Sequence, residues 1–433
     1  MSVRGAQRVS KPRRRRPRPP ADVRSPAGPR GPVERSARRA VHHVLGRVRS
    51  ATIELVEAWS GETLRLGSGS QAVRVEVRSP RAYVDLARNR SVGMGEAYAT
   101  GLWATDDLTG VCRLAAREVR RADRMRRRLA PLARPVAALR NLPFLNTRRG
   151  ARRNIAAHYD LGNDLFELFL DRDWMMYSSA LFKDEAATLE KAQAARLERV
   201  CERLELVGDD HLLEIGAGWG GMAIYAASRR GCRVTTTTIS RQQREYAEAR
   251  VRAAGLEDRV RVLGADYRDL TGSFDKLVSL EMIEAVGWQY FQTFFERCSE
   301  LLESHGLLFM QAILIEDGAF EAEKRARSFA SELIFPGGCL PSLEVVQRHL
   351  ARDTDMRTVW LEDISPSYVL TLRHWRERFV SASRQVEELG YDERFRRLWE
   401  LWLALSEAGF QESRIRDIQL TAAKPGWNGR PVL

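Results

Sequence analysis

Through the C-terminal two-thirds of the chain, short apolar runs alternate with amphipathic stretches. "HLLEIGA" (211–217), "RVTTTTI" (233–239), "RVRVLGAD" (259–266), "DKLVSLE" (275–281) and "GLLFMQAIL" (306–314) have the length and composition of strands, and stretches such as "RQQREYAEARVRAAG" separate them with helical periodicity. Strands that read as continuous apolar runs are covered on both faces, so the pattern predicts an α/β domain with a doubly wound, mostly parallel sheet over 151–433. Upstream the texture changes. "ATIELVEAW" and "QAVRVEVRS" alternate with period two, and "AYVDLARNRSVGMGEAYATGLW" mixes a helix with glycine turns, which predicts a small N-terminal α+β domain over 39–112. Residues 113–150 read as a basic helix and a linker broken by Pro131, Pro135 and Pro143. Residues 1–38, rich in Pro, Arg and Gly with little to bury, are expected to be a disordered basic tail.

Charge sharpens this division. The 433 residues carry a net charge of +13, but it is unevenly placed. Residues 1–50 hold 15 Lys and Arg against two acids, 113–153 hold 14 against two, and the remainder from 154 onward holds 35 against 45. A basic front end precedes an acidic body. Single-stranded nucleic-acid sites interleave aromatics with basic residues, and residues 1–50 contain no Phe, Trp or Tyr, which argues against that partner. The basic segments suit an anionic membrane surface, where each basic residue contributes roughly 1 kcal/mol; a merely solvated Arg-rich tail is the bland alternative. No apolar run approaches the roughly 20 residues needed to span a bilayer, and no hydrophobic segment follows the Arg-rich start. The five cysteines match neither zinc-site nor disulfide spacing. A cytoplasmic, peripherally membrane-associated protein is the expectation.

"LLEIGAGWGG" follows the first strand of the large domain and leads into a helix. Gly216, Gly218 and Gly220 allow a tight turn and close approach to a ligand at the carboxyl edge of the sheet. The spacing G-x-G-x-G-G departs from the dinucleotide fingerprint. The next strand ends in "TTTTIS", where Thr238 with Gln243 offers donors and acceptors, and the third ends in Asp266 and Tyr267, an acceptor beside a flat ring suited to adenine. A strand terminus with a buried tyrosine would look the same.

"SLEMIEAVG" (279–287) sets Glu281 and Glu284 three residues apart among Leu280, Met282, Ile283 and Val286, surroundings that raise the cost of ionising them. A helix start, where acids favour the local dipole, would account for either glutamate alone.

Taken together, "NIAAHYDLGNDLFELFLD" (154–171), "MMYSSALF" (175–182), "LLEIGAGWGG", "SLEMIEAVG", "IFPGGCLPS" (334–342), "SPSYVLTLRHWRERF" (365–379) and "EAGF" (407–410) resemble the cyclopropane-fatty-acyl-phospholipid synthase and mycolic acid cyclopropane synthase family, nearest its tuberculostearic-type relatives. The resemblance implies a seven-stranded S-adenosylmethionine methyltransferase domain with an acyl-tunnel insertion at about 317–357. It implies methyl transfer from S-adenosyl-L-methionine to the double bond of an unsaturated phospholipid acyl chain. By position, Tyr177, Ser178, Gly216, Gly218, Thr238, Gln243, Asp266 and Tyr267 would line the cofactor site.

Methyl transfer to an alkene needs near-attack alignment in a dry pocket and leaves a carbocation, which carboxylates and ring faces can stabilise without capturing it. A base must then remove a proton. In many members of the family a bound bicarbonate does so, held by a Glu, a His and a Tyr. Glu284 and Tyr368 match the Glu and Tyr; Gln311 stands at the His position, and Glu281 stands where many members have Gly. The paired departures suggest that the Glu281 carboxylate replaces bicarbonate, with Gln311 hydrogen-bonded to it. Ser406 replaces a cysteine once considered a nucleophile and Ser179 replaces the Cys of "YSC", so a covalent cysteine route is not expected. Direct proton loss would close a cyclopropane; a prior hydride shift would leave a methylene branch for a separate reductase. The motif set leans toward branching. A small-molecule methyltransferase and a non-catalytic membrane-binding protein that keeps the fold are the alternatives; the insertion and family motifs argue against the first, the intact glycine loop with Glu284 and Tyr368 against the second.

Overall fold

The computed structural model describes residues 28–121, 146–148, 150–151, 154, 161–324, 326 and 328–429. The first 27 residues of the expected basic tail, the stretch 122–145 of the basic linker and most of "NIAAHYDL" lie outside the described residues. Near the front, β1 (Thr52–Glu57), β2 (Glu62–Gly67), β3 (Ala72–Val77) and β4 (Trp103–Ala104) form a sheet in the order β2-β1-β3-β4, with β1 and β3 parallel. Helices α1 (Pro32–Leu45) and α2 (Arg81–Ala99) accompany it.

Helix α1 starts inside the segment expected to be a tail. Pro32 suits a first helical turn, and Ala37 and Val41, one turn apart, are buried in the front-domain core. Arg38 anchors the turn between them by two bonds to the buried Glu57, of 2.6 and 2.8 Å, and the Tyr83 hydroxyl donates to the same carboxylate at 2.7 Å. The arginine-rich composition conceals a helix whose apolar stripe is only two residues wide. The start of the basic segment is likewise structured: Arg113 and Arg117 both bond Glu412 at 2.6 Å, tying the front end to the acidic body.

The large sheet contains β5 (His211–Ile215), β6 (Arg233–Thr237), β7 (Val260–Leu263), β8 (Phe274–Leu280), β9 (Leu302–Ile315), β10 (Arg357–Asp363) and β11 (Ile415–Ala423), in the order β10-β11-β9-β8-β5-β6-β7. The five strands foreseen as apolar runs are mutually parallel; β10 and β11 add antiparallel at one edge. Helices α3 (Leu189–Arg203), α4 (Gly221–Arg230), α5 (Arg241–Ala253) and α6 (Phe291–Glu300) accompany the parallel strands, α7 (Leu343–Asp353) precedes β10, and α8 (Ser365–Ser381) packs against α9 (Glu393–Gln411) ahead of β11. Side chains of Thr188, Ser240, Ser342 and Asp392 accept backbone N–H bonds at the starts of α3, α5, α7 and α9, as helix caps do.

The insertion between β9 and β10 joins the two domains. Its Phe329 and Ile334 are buried in the front-domain core together with Leu398 and Leu401 of α9. Gly95 of α2 makes room for Phe329: a Cβ there would lie 2.2 Å from the ring. Replacing Gly95 with leucine is expected to lower stability by about 1–3 kcal/mol, the usual cost of overpacking, read as a fall in thermal midpoint. A Phe329→Ala change in the Gly95→Leu background should recover part of that loss.

Candidate active site

From β5 the chain runs outward through β6 and β7, then returns to place β8 on the other side of β5. The connections leaving β5 and β8 therefore diverge, and a crevice opens beyond the carboxyl ends of these neighbours, the place where open α/β sheets bind ligands. The glycine loop leaves β5 there and "EMIEAVG" leaves β8. The two loops touch: Gly216 has φ +105°, and a Cβ on it would sit 3.1 Å from Met282 Cγ. Gly218, φ +50°, faces open space.

The sequence-selected cofactor residues are engaged in different ways. Tyr177 stacks on Trp375 with centroids 5.2 Å apart, and the Ser178 carbonyl accepts from Gln193 Nε2 at 2.8 Å. Thr238 Oγ1 donates to Gln243 Oε1 at 2.9 Å, so these two are held by each other. Asp266 is gripped by Arg268 at 2.6 and 2.8 Å, while the Tyr267 ring meets Phe294 edge-on and its buried hydroxyl has no hydrogen-bond partner among the described residues. The open corner at Gly218 and unpartnered polar atoms on Tyr267 and Glu284 fit a polar, planar cofactor. Among the described residues no group of His, Cys, Asp or Glu could hold a metal ion.

Glu281 is the first residue past β8. Its N–H donates to the Gln311 carbonyl at 2.8 Å, and its φ is +50°, a left-handed backbone that glycine adopts without strain and glutamate adopts at a cost of about 1–3 kcal/mol. The turn drives the side chain into a converging set of donors. Oε1 accepts from the Ser179 N–H at 2.7 Å and from Gln311 Nε2 at 2.7 Å; Oε2 accepts from the Tyr368 hydroxyl at 2.6 Å. Glu284 lies apart from this set: Oε1 accepts from the Ile313 N–H at 2.5 Å and Oε2 has no partner among the described residues. The structure thus joins Glu281, Gln311 and Tyr368, and directs the Tyr368 hydroxyl to Glu281 rather than Glu284.

Burial dominates the electrostatics. It pushes the Glu281 carboxyl up, against the opposing pull of Tyr368, Ser179, Gln311 and Arg196. Glu284 is pushed up to about 8, first by burial and then by the charge of Glu281. Tyr368 is raised well above its ordinary value by burial and by Glu281. Its hydroxyl stays a proton donor.

Several participants escaped the sequence reading. Gln311 Nε2 also donates to Asp417 Oδ2 at 3.1 Å, and Gln419 Nε2 donates to Gln311 Oε1 at 3.1 Å. Asn146 Nδ2 holds the Ala285 and Gly337 carbonyls at 3.0 and 2.9 Å, bracing the Glu284 loop against the insertion. Arg196 on α3 is fully buried. The available signal was polar side chains within otherwise apolar patterns, as in "IQLTAA" and "AQAARL".

The family model described as mycolic acid cyclopropane synthetase matches residues 146–420. Among curated relatives, the tuberculostearic acid methyltransferase UfaA1 of Mycobacterium tuberculosis is 36% identical over 407 residues, covering 92% of this chain and 94% of the relative. The cyclopropane-fatty-acyl-phospholipid synthase of Escherichia coli is 34% identical over 358 residues, covering 82% and 87%. Among solved structures, the mycolic acid cyclopropane synthase CmaA1 complexed with SAH and CTAB superposes with a TM-score of 0.59 at 28% identity, covering 63% of this chain and 98% of that one.

A Gly216→Val change would combine a positive φ with a contact on Met282, so the two loops could no longer meet. Affinity for S-adenosylhomocysteine in calorimetry is expected to fall more than about tenfold, roughly 1.4 kcal/mol, with the far-ultraviolet circular dichroism retained.

Proposed function

Because the chain belongs to the mycolic acid cyclopropane synthetase family, we propose that it is an S-adenosylmethionine-dependent enzyme that alkylates the double bond of an unsaturated phospholipid acyl chain, with Glu281 as the base that removes the proton. One observation carries the reading: the Glu281 carboxylate is held by Tyr368, Gln311 and the Ser179 N–H in the crevice beside the glycine loop. Those three donors leave the carboxylate oriented with about one of its four acceptor sites open to a proton, which is what a built-in substitute for a bound bicarbonate requires.

The cofactor supplies an electrophilic methyl on a sulfonium. Gly216, Gly218, Tyr177, Ser178, Thr238, Gln243, Asp266 and Tyr267 form its binding surface. The surrounding residues then face a carbocation in the acyl chain. Aromatic faces, with Tyr368 stacked on Phe410 at 4.4 Å and Tyr177 stacked on Trp375, offer a negative quadrupole and no nucleophile. Glu281 accepts the proton, and Tyr368 and Gln311 keep its oxygens aimed. Ser179 takes part through its backbone N–H, which explains how the site functions without a cysteine there.

The product of this reading is a methylene-branched chain, which a separate reductase would convert to a methyl branch. The unsaturated chain arrives from an anionic membrane surface. In support, α1 turns Arg35 and Arg39 to solvent on the side away from its buried Ala37 and Val41, a cationic face suited to an anionic lipid interface. Among the described residues no helix is long and apolar enough to cross a membrane.

Mass spectrometry of lipids from a host fed oleate and expressing the chain should show a methylene branch, reduced only when a reductase is co-expressed; a saturated ring product would replace the branching assignment with cyclopropanation. Glu281→Gln is expected to lower turnover at least about 10²-fold while S-adenosylhomocysteine still binds. Added bicarbonate should leave the wild-type rate unchanged and partly restore a Glu281→Gly, Gln311→His double variant. Full activity in Glu281→Gln would refute the assignment of the base.

A further inference from the structure

Beneath the Glu281 site, one face of the large sheet carries polar side chains where an apolar layer is expected. Glu214 on β5, Gln311 on β9, and Asp417, Gln419 and Thr421 at alternate positions of β11 are all buried, and registers Glu214↔Val278, Val278↔Phe309, Gln311↔Gln419 and Phe309↔Thr421 put them on the same face. Arg196 of α3 is fully buried, and its guanidinium feels Glu281, Asp171, Asp417 and Glu214. Its Nε donates to Gln193 Oε1 at 3.1 Å; among the described residues its two outer nitrogens have no hydrogen-bond partner. Glu214 Oε2, Asp417 Oδ1 and Gln419 Oε1 also lack one.

A guanidinium does not deprotonate in a protein, so a buried one obliges a buried anion nearby. Donor bookkeeping ranks the carboxyls that share that charge. Glu281 receives three donors, two of them N–H groups that can only donate, which is the surrounding of an ionised carboxylate. Asp417 receives one, from Gln311 Nε2, the same nitrogen that serves Glu281. Asp171 is already satisfied by the N–H groups of Trp174, Met175 and Met176. Arg196 also reaches the site mechanically: Gln193, which it holds, donates to the Ser178 carbonyl, next to the Ser179 N–H that grips Glu281.

We propose that Arg196 is a positioning residue for the reaction, the buried counter-charge that keeps the Glu281 carboxylate ionised in the dry pocket, and that Asp417 is the second carboxyl competing with Glu281 for that charge through the shared Gln311 amide. The proposal rests on Glu281 being the proton acceptor. The titratable and charged groups facing this pair are Arg196 from α3, Glu284 from the loop after β8, Tyr368 from α8, Glu214 from β5, Asp171 from the segment before α3, and Asp363 from β10. Among the described residues, only Arg196 of these groups is cationic. Removing it makes ionisation of Glu281 harder, whereas neutralising Asp417 removes a competing negative charge and makes it easier.

The test is the pH profile of kcat for the full chain on vesicles of oleoyl phosphatidylglycerol. The ascending limb should move up by about one pH unit or more in Arg196→Met, a tenfold or larger loss of rate at fixed pH on that limb. It should stay within a few tenths of a unit in Arg196→Lys and move down in Asp417→Asn. S-adenosylhomocysteine calorimetry reports whether each variant retains a folded cofactor site. An Arg196→Met protein that binds it and shows an unmoved limb overturns the proposal. So does an Asp417→Asn limb that stays still or moves up, an outcome readable even where Arg196→Met fails to fold. Failure of the underlying reading is distinct: Glu281→Gln would then keep its activity, whatever the Arg196 variants do.

Discussion

A carboxylate buried at the end of a central strand must be compensated, and much of the local structure follows from how Glu281 is. A buried charge without partners would shed its ionisation at a cost of several kcal/mol. Here the donors come from separate elements: the Ser179 N–H from the segment before α3, Gln311 from β9, and Tyr368 from α8. Each of those elements is in turn fixed by something else. Gln311 is held by Gln419 on β11, Tyr368 by its stack on Phe410 of α9, and the Ser178–Ser179 segment by Gln193. The antiparallel addition of β11 to the sheet therefore serves the site directly, because it brings Asp417 and Gln419 alongside Gln311.

The same logic links the site to the front domain. The insertion between β9 and β10 contacts the Glu284 loop from one side, where Cys339 donates to the Glu284 carbonyl at 2.8 Å and Asn146 spans Ala285 and Gly337. From the other side it completes the front-domain core through Phe329 and Ile334. The front domain and α9 also share the Glu412 ion pairs with Arg113 and Arg117. These contacts make one packed body of the insertion, α9 and the front domain.

What the sequence made legible follows from this division between local and long-range causes. Five parallel strands announced themselves because burial on both faces leaves uninterrupted apolar runs, and the glycine loop because a positive φ at Gly216 and Gly218 is a local demand. Strand β11 was silent, since its buried Asp417, Gln419 and Thr421 break the apolar pattern for the sake of the site. Helix α1 was hidden by its arginine-rich composition, and the one that anchors it, Arg38, does so through Glu57, distant in sequence. Glu281 and Gln311 stood out as a pair of departures, yet their meeting with Tyr368 and Ser179, and the approach of Arg196, depend on contacts separated by dozens of residues. No period or spacing encodes them.

The backbone at Glu281 joins these themes. A left-handed residue at a strand end is most simply glycine, and placing glutamate there costs on the order of 1–3 kcal/mol of conformational strain. The three hydrogen bonds to its carboxylate, each worth about 1.5–3 kcal/mol when charge-assisted, can hold that conformation against the strain. They do so only while the carboxylate is charged, because a neutral acid would accept more weakly from the two N–H groups and would need an acceptor for its own proton. Ionisation, side-chain aim and backbone conformation are thus coupled at a single residue. A carboxylate held in this way is oriented by the fold itself, and its protonation loosens the contacts that align it.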